Sequence, residues 1–271
     1  MRPLSDRARA QVTAWDGVIA PARDAATVVV TREGGGGLEV LLLRRQPTMA
    51  FAAGMHVFPG GSVHATDREP VPWTGPDGPS WAERLRCDAE LARALVVAAV
   101  RETFEESGIL IAGPDPDTVL GVQSGAEWTA AREALEQGRL SVGEFLRARG
   151  LVLRADLLAA WAHWITPDFE PRRFDTRFFV AVLPDEGVAH SHGSETDTSF
   201  WMDVEQAVAT VERGELPMMP PTVHTLRELA AAGRTGVRAT LTGATPRAVR
   251  TIRPRLVEVD GTLGLSAIED S

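Results

Sequence analysis

The stretch "RETFEESGI" (residues 101–109) decides how this chain is read. Its approach is apolar, with Leu95, Val96, Val97 and Val100. On a helix, residues three and four apart share a face, so Glu102, Glu105 and Glu106 project together. Like charges at that spacing repel unless a cation lies between them. A cluster of hard carboxylate oxygens is what Mg2+ or Mn2+ takes. Arg101, four residues before Glu105, is placed to pair with a carboxylate and orient it. Three glutamates alone also suit a solvated helix face; the strand and Pro-Gly-Gly turn ahead of this helix favour a site.

Working outward, the helix is expected from about Ala82 to Ser107, broken near Cys87 and stopped by Gly108. Upstream, "ATVVVTR" and "LEVLLLRR" flank "EGGGG" and predict a β-hairpin. "MHVFPGG" predicts a short strand ending in a turn. Residues 62–82 are rich in Pro, Gly and Asp and read as a loop or inserted excursion. Downstream, "GAEWTAAREALEQG" and "SVGEFLRARG" read as two amphipathic helices. "ADLLAAWAHWITP" leads out of them, with Trp161 and Trp164 at helical spacing and suited to a core. "RRFDTRFFVAVLP" and "TSFWMD" read as strands, and "VEQAVATVERG" as a helix. "PPTVHTLRELAAAG" reads as a helix with Pro at its start and Gly after its end. "VRATLTG" and "RLVEVDGTLGL" read as weak strands. Strands and helices alternate without a regular βαβ period, so a mixed sheet flanked by helices is expected.

The chain has 271 residues and a net charge of −9, so a long basic surface for a nucleic-acid polymer is disfavoured. Lys, Asn and Tyr are absent, so every cationic contact is an Arg or a His. The single cysteine, Cys87, excludes an intramolecular disulfide and points to a reducing compartment, with cytoplasmic placement expected. The longest apolar run, around 94–100, is far short of a membrane span. The N-terminus carries no apolar region of the secretory kind.

"RETFEESGI" resembles the second half of the Nudix box, R-E-apolar-x-E-E-x-G-apolar, with Thr103 at the usual apolar position. "FPGGSVHATD" (58–67) resembles the first half, and Asp67 falls where the family has Glu. In the family pattern seven residues separate that acid from Arg; here 33 lie between Asp67 and Arg101, an insertion of about 26. The box is therefore split, as in the Nudix subgroup of the peroxisomal coenzyme A diphosphatase type. "LLLRRQPTMAFAAGMHVFPGG" (41–61) further resembles a motif of coenzyme A-cleaving members, departing from it at Leu43, Gln46 and Ala50. The lack of Arg at position 50 removes one phosphate contact that the motif implies. "HWITPDFEPRRFDTRFFVAVLP" and "MMPPTVHTLREL" extend the resemblance, which covers roughly 25–230.

The resemblance implies a Nudix-type α/β/α sandwich over residues 25–235, with an insertion at about 68–90 and a helical excursion at about 117–160. Residues 1–24 form a lead-in and 236–271 a C-terminal segment. It also implies divalent-metal hydrolysis of a small diphosphate: coenzyme A or acyl-coenzyme A to 3′,5′-ADP and 4′-phosphopantetheine products. NADH, ADP-ribose or a capped nucleotide is the alternative substrate, and a non-catalytic binding module is a third reading. Glu102, Glu105, Glu106 and the Gly60 carbonyl are the implied metal ligands, with Mg2+ or Mn2+ as the cation. The implied catalytic residues are Glu102, Glu105 and Glu195, with Arg101 orienting them. Arg45, Gly54, Phe58 and Gly61 are the implied substrate contacts. Arg172, Arg173 and Arg177 suit surface salt bridges better than phosphate contacts. Trp73 and Trp81, in the insertion, suggest a lid over an acyl or pantetheine arm. A homodimer is left open, and no membrane partner is expected.

Overall fold

The computed structural model describes residues 2–46, 53–183, 196–243, 247–259 and 261–270. The chain opens with strand β1 (Arg2–Pro3) and helix α1 (Asp6–Ala14). Strands β2 (Ala22–Glu33), β3 (Leu38–Arg45), β4 (His56–Val57) and β5 (Gly60–Ser62) follow. A 3-10 turn (Ala65–Arg68) precedes the insertion, which contributes β6 (Trp73–Thr74) and α2 (Gly78–Leu85) and leads into the long α3 (Ala89–Ser107). Then come β7 (Ile109–Leu110), β8 (Ala112–Gly113), β9 (Gly121–Val122), α4 (Ala126–Glu136), α5 (Val142–Arg149) and β10 (Val152–Arg154). The last part holds β11 (Leu158–Ile165), β12 (Arg173–Leu183), β13 (Thr196–Asp203), α6 (Val204–Glu212), α7 (Pro220–Leu241), β14 (Thr251–Val259) and β15 (Thr262–Asp270).

The main sheet runs β1-β15-β14-β11-β12-β2-β3-β13, with β4 on β3 and β5 on β2. It is mixed: β2 is parallel to β12 and antiparallel to β3. The "VVV" run of β2 explains why it lies at the centre. Val28 and Val30 face one core cluster and Val29 the other, so both faces of the strand are covered. Helix α3 covers the first face through Leu95, Val96, Ala99 and Val100. Helices α6 and α7 cover the second through Val204, Ala207, Leu226 and Leu229. The result is the expected α/β/α sandwich. Among the described residues no helix is long and apolar enough to cross a membrane.

Helix α3 begins where Asp88 accepts a hydrogen bond from the Leu91 amide, 2.8 Å away. It is separated from α2 by Arg86, whose left-handed backbone (φ 55°) breaks the helical run beside Cys87. It ends at Gly108, also left-handed at φ 74°. The excursion does not stand apart: Phe145, Leu146 and Leu153 bury into the same cluster as α3. Its strand β10 pairs with β6 of the insertion and with β8 in a small three-stranded sheet.

Three expectations need correction. "LAAWAHWI" is strand β11, not an extension of helices. A register shift between Ala160 and Ala162 lets Trp161, Ala162 and Trp164 all enter the second cluster, so the spacing of the two tryptophans reflects a bulge rather than a helix. "VRATLTG" is not a strand: Val237 to Leu241 complete α7 beyond a non-helical interruption at Gly233, where the preceding helix was expected to stop. Trp81 is no lid: it is fully buried, edge-on to Phe179 at 5.7 Å between ring centres. Trp73 packs at the margin of the same cluster, with Arg93 over its ring. Replacing Trp81 by Ala is therefore expected to cost about 3–5 kcal/mol of stability, read by chemical denaturation. An unchanged unfolding midpoint would remove Trp81 from the core.

Candidate active site

The two box halves lie 34 positions apart and meet at one guanidinium. Arg101 is 2% exposed. Its Nε and Nη2 each donate to a different oxygen of Asp67, both at 2.9 Å. Nη2 also donates to the Ser62 carbonyl at 2.9 Å, and Nη1 to Glu102 at 2.8 Å and Glu105 at 3.1 Å. Burial disfavours the charge, but these partners outweigh it and raise the affinity of Arg101 for its proton. A planar fork with several donors suits this role as Lys would not.

Asp67 is buried at the third position of the 3-10 turn Ala65–Arg68. Its second oxygen also accepts from the His64 amide at 2.8 Å. Both oxygens are thus occupied, which explains the acid at that box position: it holds Arg101. The insertion begins directly after this turn and returns through α2 to α3, so it does not separate the halves in space.

Around this clamp stand the glutamates. Glu102 and Glu105 share Nη1 of Arg101, and Glu106 accepts from the Gly60 amide at 3.0 Å. The Gly60 amide thus ties strand β5 to the acidic cluster. A Cβ on Gly61 would collide with the Glu102 carboxylate, and one on Gly60 with Ala26 and Thr27 of β2. The two glycines let strand β5 lie flat between β2 and the acidic helix. Thr103, the departure from the apolar pattern, is fully buried because its hydroxyl donates to the Ala99 carbonyl at 2.7 Å. The hydroxyl is paired within the helix, so the position still behaves as a core position.

Burial pushes the Glu105 carboxyl up to about 8, against the pull of Arg101 and aided by the neighbouring Glu102. Its Oε1 is buried without a hydrogen-bond partner. Such an atom calls for a proton or a cation. The donor types around it fit a hard divalent ion. The complete ligand set is not preassembled: among the described residues, no three carboxylate, imidazole or thiolate groups are arranged to hold a metal.

The other expected site residues are placed as follows. Arg45 ends β3, and its backbone bonds to Met55 and Gly54 at 3.0 and 3.2 Å. Gly54 is left-handed (φ 68°) and serves the turn. Phe58, expected at the substrate, lies buried in the second core cluster. Glu195 lies outside the described residues. Arg172 is exposed. Arg173 and Arg177 are buried rather than at the surface: Arg173 holds Asp168 and the Ala20 carbonyl, each at 2.7 Å, and Arg177 pairs with Asp175. His163 joins that second network, 2.6 Å from Asp175 and 2.8 Å from the Thr251 hydroxyl. Arg132, not anticipated from sequence, donates from α4 to the Glu105 carbonyl. No local pattern marks it, since its partner is 27 residues away.

A family model, the NUDT19 Nudix domain, matches residues 82–229. The chain belongs to the Nudix hydrolases. Within this Nudix family it is similar to the acyl-coenzyme A diphosphatase NUDT19 of Homo sapiens, 27% identical over 231 residues, covering 72% of this chain and 61% of that protein. The Gallus gallus protein of the same name is 26% identical over 232 residues, covering 70% and 61%. The chain spans about three-fifths of the length of these relatives. The crystal structure of a NUDIX hydrolase from Alicyclobacillus acidocaldarius superposes with a TM-score of 0.63 at 32% identity, covering 78% of this chain and 92% of that one. Nudix hydrolases are typically divalent-metal dependent, which agrees with the donor chemistry around Glu105.

The raised Glu105 carboxyl has a signed consequence. The folded state keeps this proton up to about pH 8, while the unfolded chain loses it near the ordinary value of 4.5. Between those values the folded state binds more protons, so this group's contribution to stability falls as pH rises. Replacing Glu105 by Gln is expected to flatten that part of the metal-free stability curve, measured by denaturation from pH 5 to 8.5. Parallel curves for the two proteins would contradict the raised value.

Proposed function

We propose that this Nudix hydrolase cleaves the diphosphate of coenzyme A or acyl-coenzyme A, giving 3′,5′-ADP and the (acyl-)4′-phosphopantetheine half. The observation that carries the chemistry is the closure of the split box: Arg101 joins Asp67 to Glu102 and Glu105 despite the insertion. The substrate class rests on the "LLLRR" to "FPGG" motif and on the similarity to relatives named acyl-coenzyme A diphosphatase.

In this reading Glu102, Glu105 and Glu106 would hold Mg2+ or Mn2+. Such a cation would neutralise charge at the diphosphate and make a water easier to deprotonate to the attacking hydroxide. Arg101 orients the Glu102 and Glu105 carboxylates and does not touch substrate. The base that takes the proton of the attacking water is one of the helix glutamates, Glu102 or Glu105. Glu195 is the alternative base. Gly60 and Gly61 keep backbone, rather than side chain, against the acidic face, which lets the Glu102 carboxylate lie directly on the strand. Arg45, at the end of β3, is the guanidinium that the coenzyme A-type motif places ahead of the glycine turn.

A panel of coenzyme A, acyl-coenzyme A, NADH and ADP-ribose with Mg2+ or Mn2+, read by mass spectrometry, is expected to give 3′,5′-ADP from the first two and little product from the others. Preferred turnover of NADH or ADP-ribose would overturn the substrate assignment. Replacing Glu106 by Gln is expected to lower kcat by about 100-fold or more, since losing charge stabilisation of several kcal/mol has that effect. Wild-type turnover by that variant would exclude the role given to Glu106.

A further inference from the structure

The C-terminal turn of α3 is gripped from outside the helix. The last carbonyls of an α-helix lack intrahelical donors. Here the Gly108 amide serves the Phe104 carbonyl at 2.9 Å, and the Ile109 amide turns to the Ser107 hydroxyl at 3.2 Å. The Glu105 carbonyl is instead taken by Arg132, whose Nε and Nη2 donate at 3.1 and 2.6 Å. Arg132 is 5% exposed. Burying a guanidinium is costly, and two of its donors are spent on one neutral carbonyl. That placement also sets positive charge at the negative end of the helix dipole.

The same excursion holds the residues on either side. The Phe104 ring stacks on Phe145 at 5.3 Å and meets Trp128 edge-on at 6.0 Å. The Gln123 amide donates to the Gly108 carbonyl at 2.9 Å. A Cβ on Gly108 would press on the Gln123 carbonyl and on Arg132, at 3.1 and 3.3 Å. Arg101 therefore fixes the carboxylate of Glu105, while Arg132 fixes its backbone.

We propose that Arg132 is a positioning residue: through the Glu105 carbonyl it sets where the Glu105 carboxylate stands for a divalent cation. The helical excursion is then part of the metal site's support and not a passive insertion. This inference rests on the metal-dependent reading above.

The test is Mn2+ binding to the full chain, followed by the loss of the free Mn2+ resonance in electron paramagnetic resonance. Arg132→Met keeps the apolar stem and removes the donors. It is expected to weaken Mn2+ binding by about tenfold or more, the usual effect of losing a group that orients a ligand. Arg132→Lys keeps the charge and a donor, and is expected to lose only about two- to fivefold. If the Met variant does not fold, the Lys variant carries the test, and wild-type affinity in it would overturn the proposal. Arg154→Met is the control. Arg154 is another buried arginine, bonded to the Thr118 carbonyl and Asp156 away from α3. It is expected to lower Tm without changing Mn2+ affinity. Unchanged affinity in Arg132→Met with a lowered Tm would make Arg132 purely structural and overturn the proposal. Equal weakening in Arg154→Met would overturn it too, by assigning the effect to general stability. A wild-type chain that binds no Mn2+ would overturn the metal-dependent reading itself.

Discussion

A buried guanidinium that must be satisfied on all sides organises this molecule. Leaving Arg101 with a missing partner would strand a charge in the interior, at a cost of about 3–5 kcal/mol. Its partners come from two distant stretches: Ser62 and Asp67 before the insertion, Glu102 and Glu105 after it. Meeting that requirement brings the glycine strand against the acidic helix. It also decides which acids remain for chemistry. Asp67 is consumed by the clamp, whereas Glu105 keeps one buried oxygen without a partner.

The sheet and the excursion supply the rigidity that this arrangement needs. Strand β2, buried on both faces, seats β5 by backbone pairing from Ala25 to Thr27. Helix α3 lies between that sheet and the aromatic side chains of α4 and α5, and is buried along most of its length. A helix that is apolar almost all round has no solvent-facing side on which acids could sit harmlessly. Glu102 and Glu105 are accordingly buried; Arg101 compensates Glu102, and Glu105 needs a proton or a bound cation besides. The like-charge cluster seen in the sequence is thus a consequence of burial as well as spacing.

Much of this was legible in the residues. The i, i+3, i+4 spacing of Glu102, Glu105 and Glu106 with Arg101 beside them states the shared face directly. The hairpin of β2 and β3 follows from β-branched runs around four glycines. The break near Cys87 and the stop at Gly108 follow from turn chemistry. "LAAWAHWI" was misread because a short apolar run suits a buried strand as well as a helix, and a bulge mimicked helical spacing. "VRATLTG" was misread because packing beyond Gly233 overrode its β-branched residues. Trp81 looked out of place in a loop-like segment because its partner, Phe179, is nearly a hundred positions away. Arg132 carried no local signal for the same reason: tertiary partners leave no periodicity. Phe58 shows the converse, since a residue within a substrate motif packs into the core.

The most direct measurement is the anomalous difference density of a crystal grown with Mn2+ and collected near the manganese edge. The predicted peak lies against the face of α3 that carries Glu102, Glu105 and Glu106, beside Gly60 and Gly61, with Arg101 still joined to Asp67. A peak elsewhere, or one reached only with the Arg101–Asp67 pair broken, would contradict the clamp as the support of the metal site.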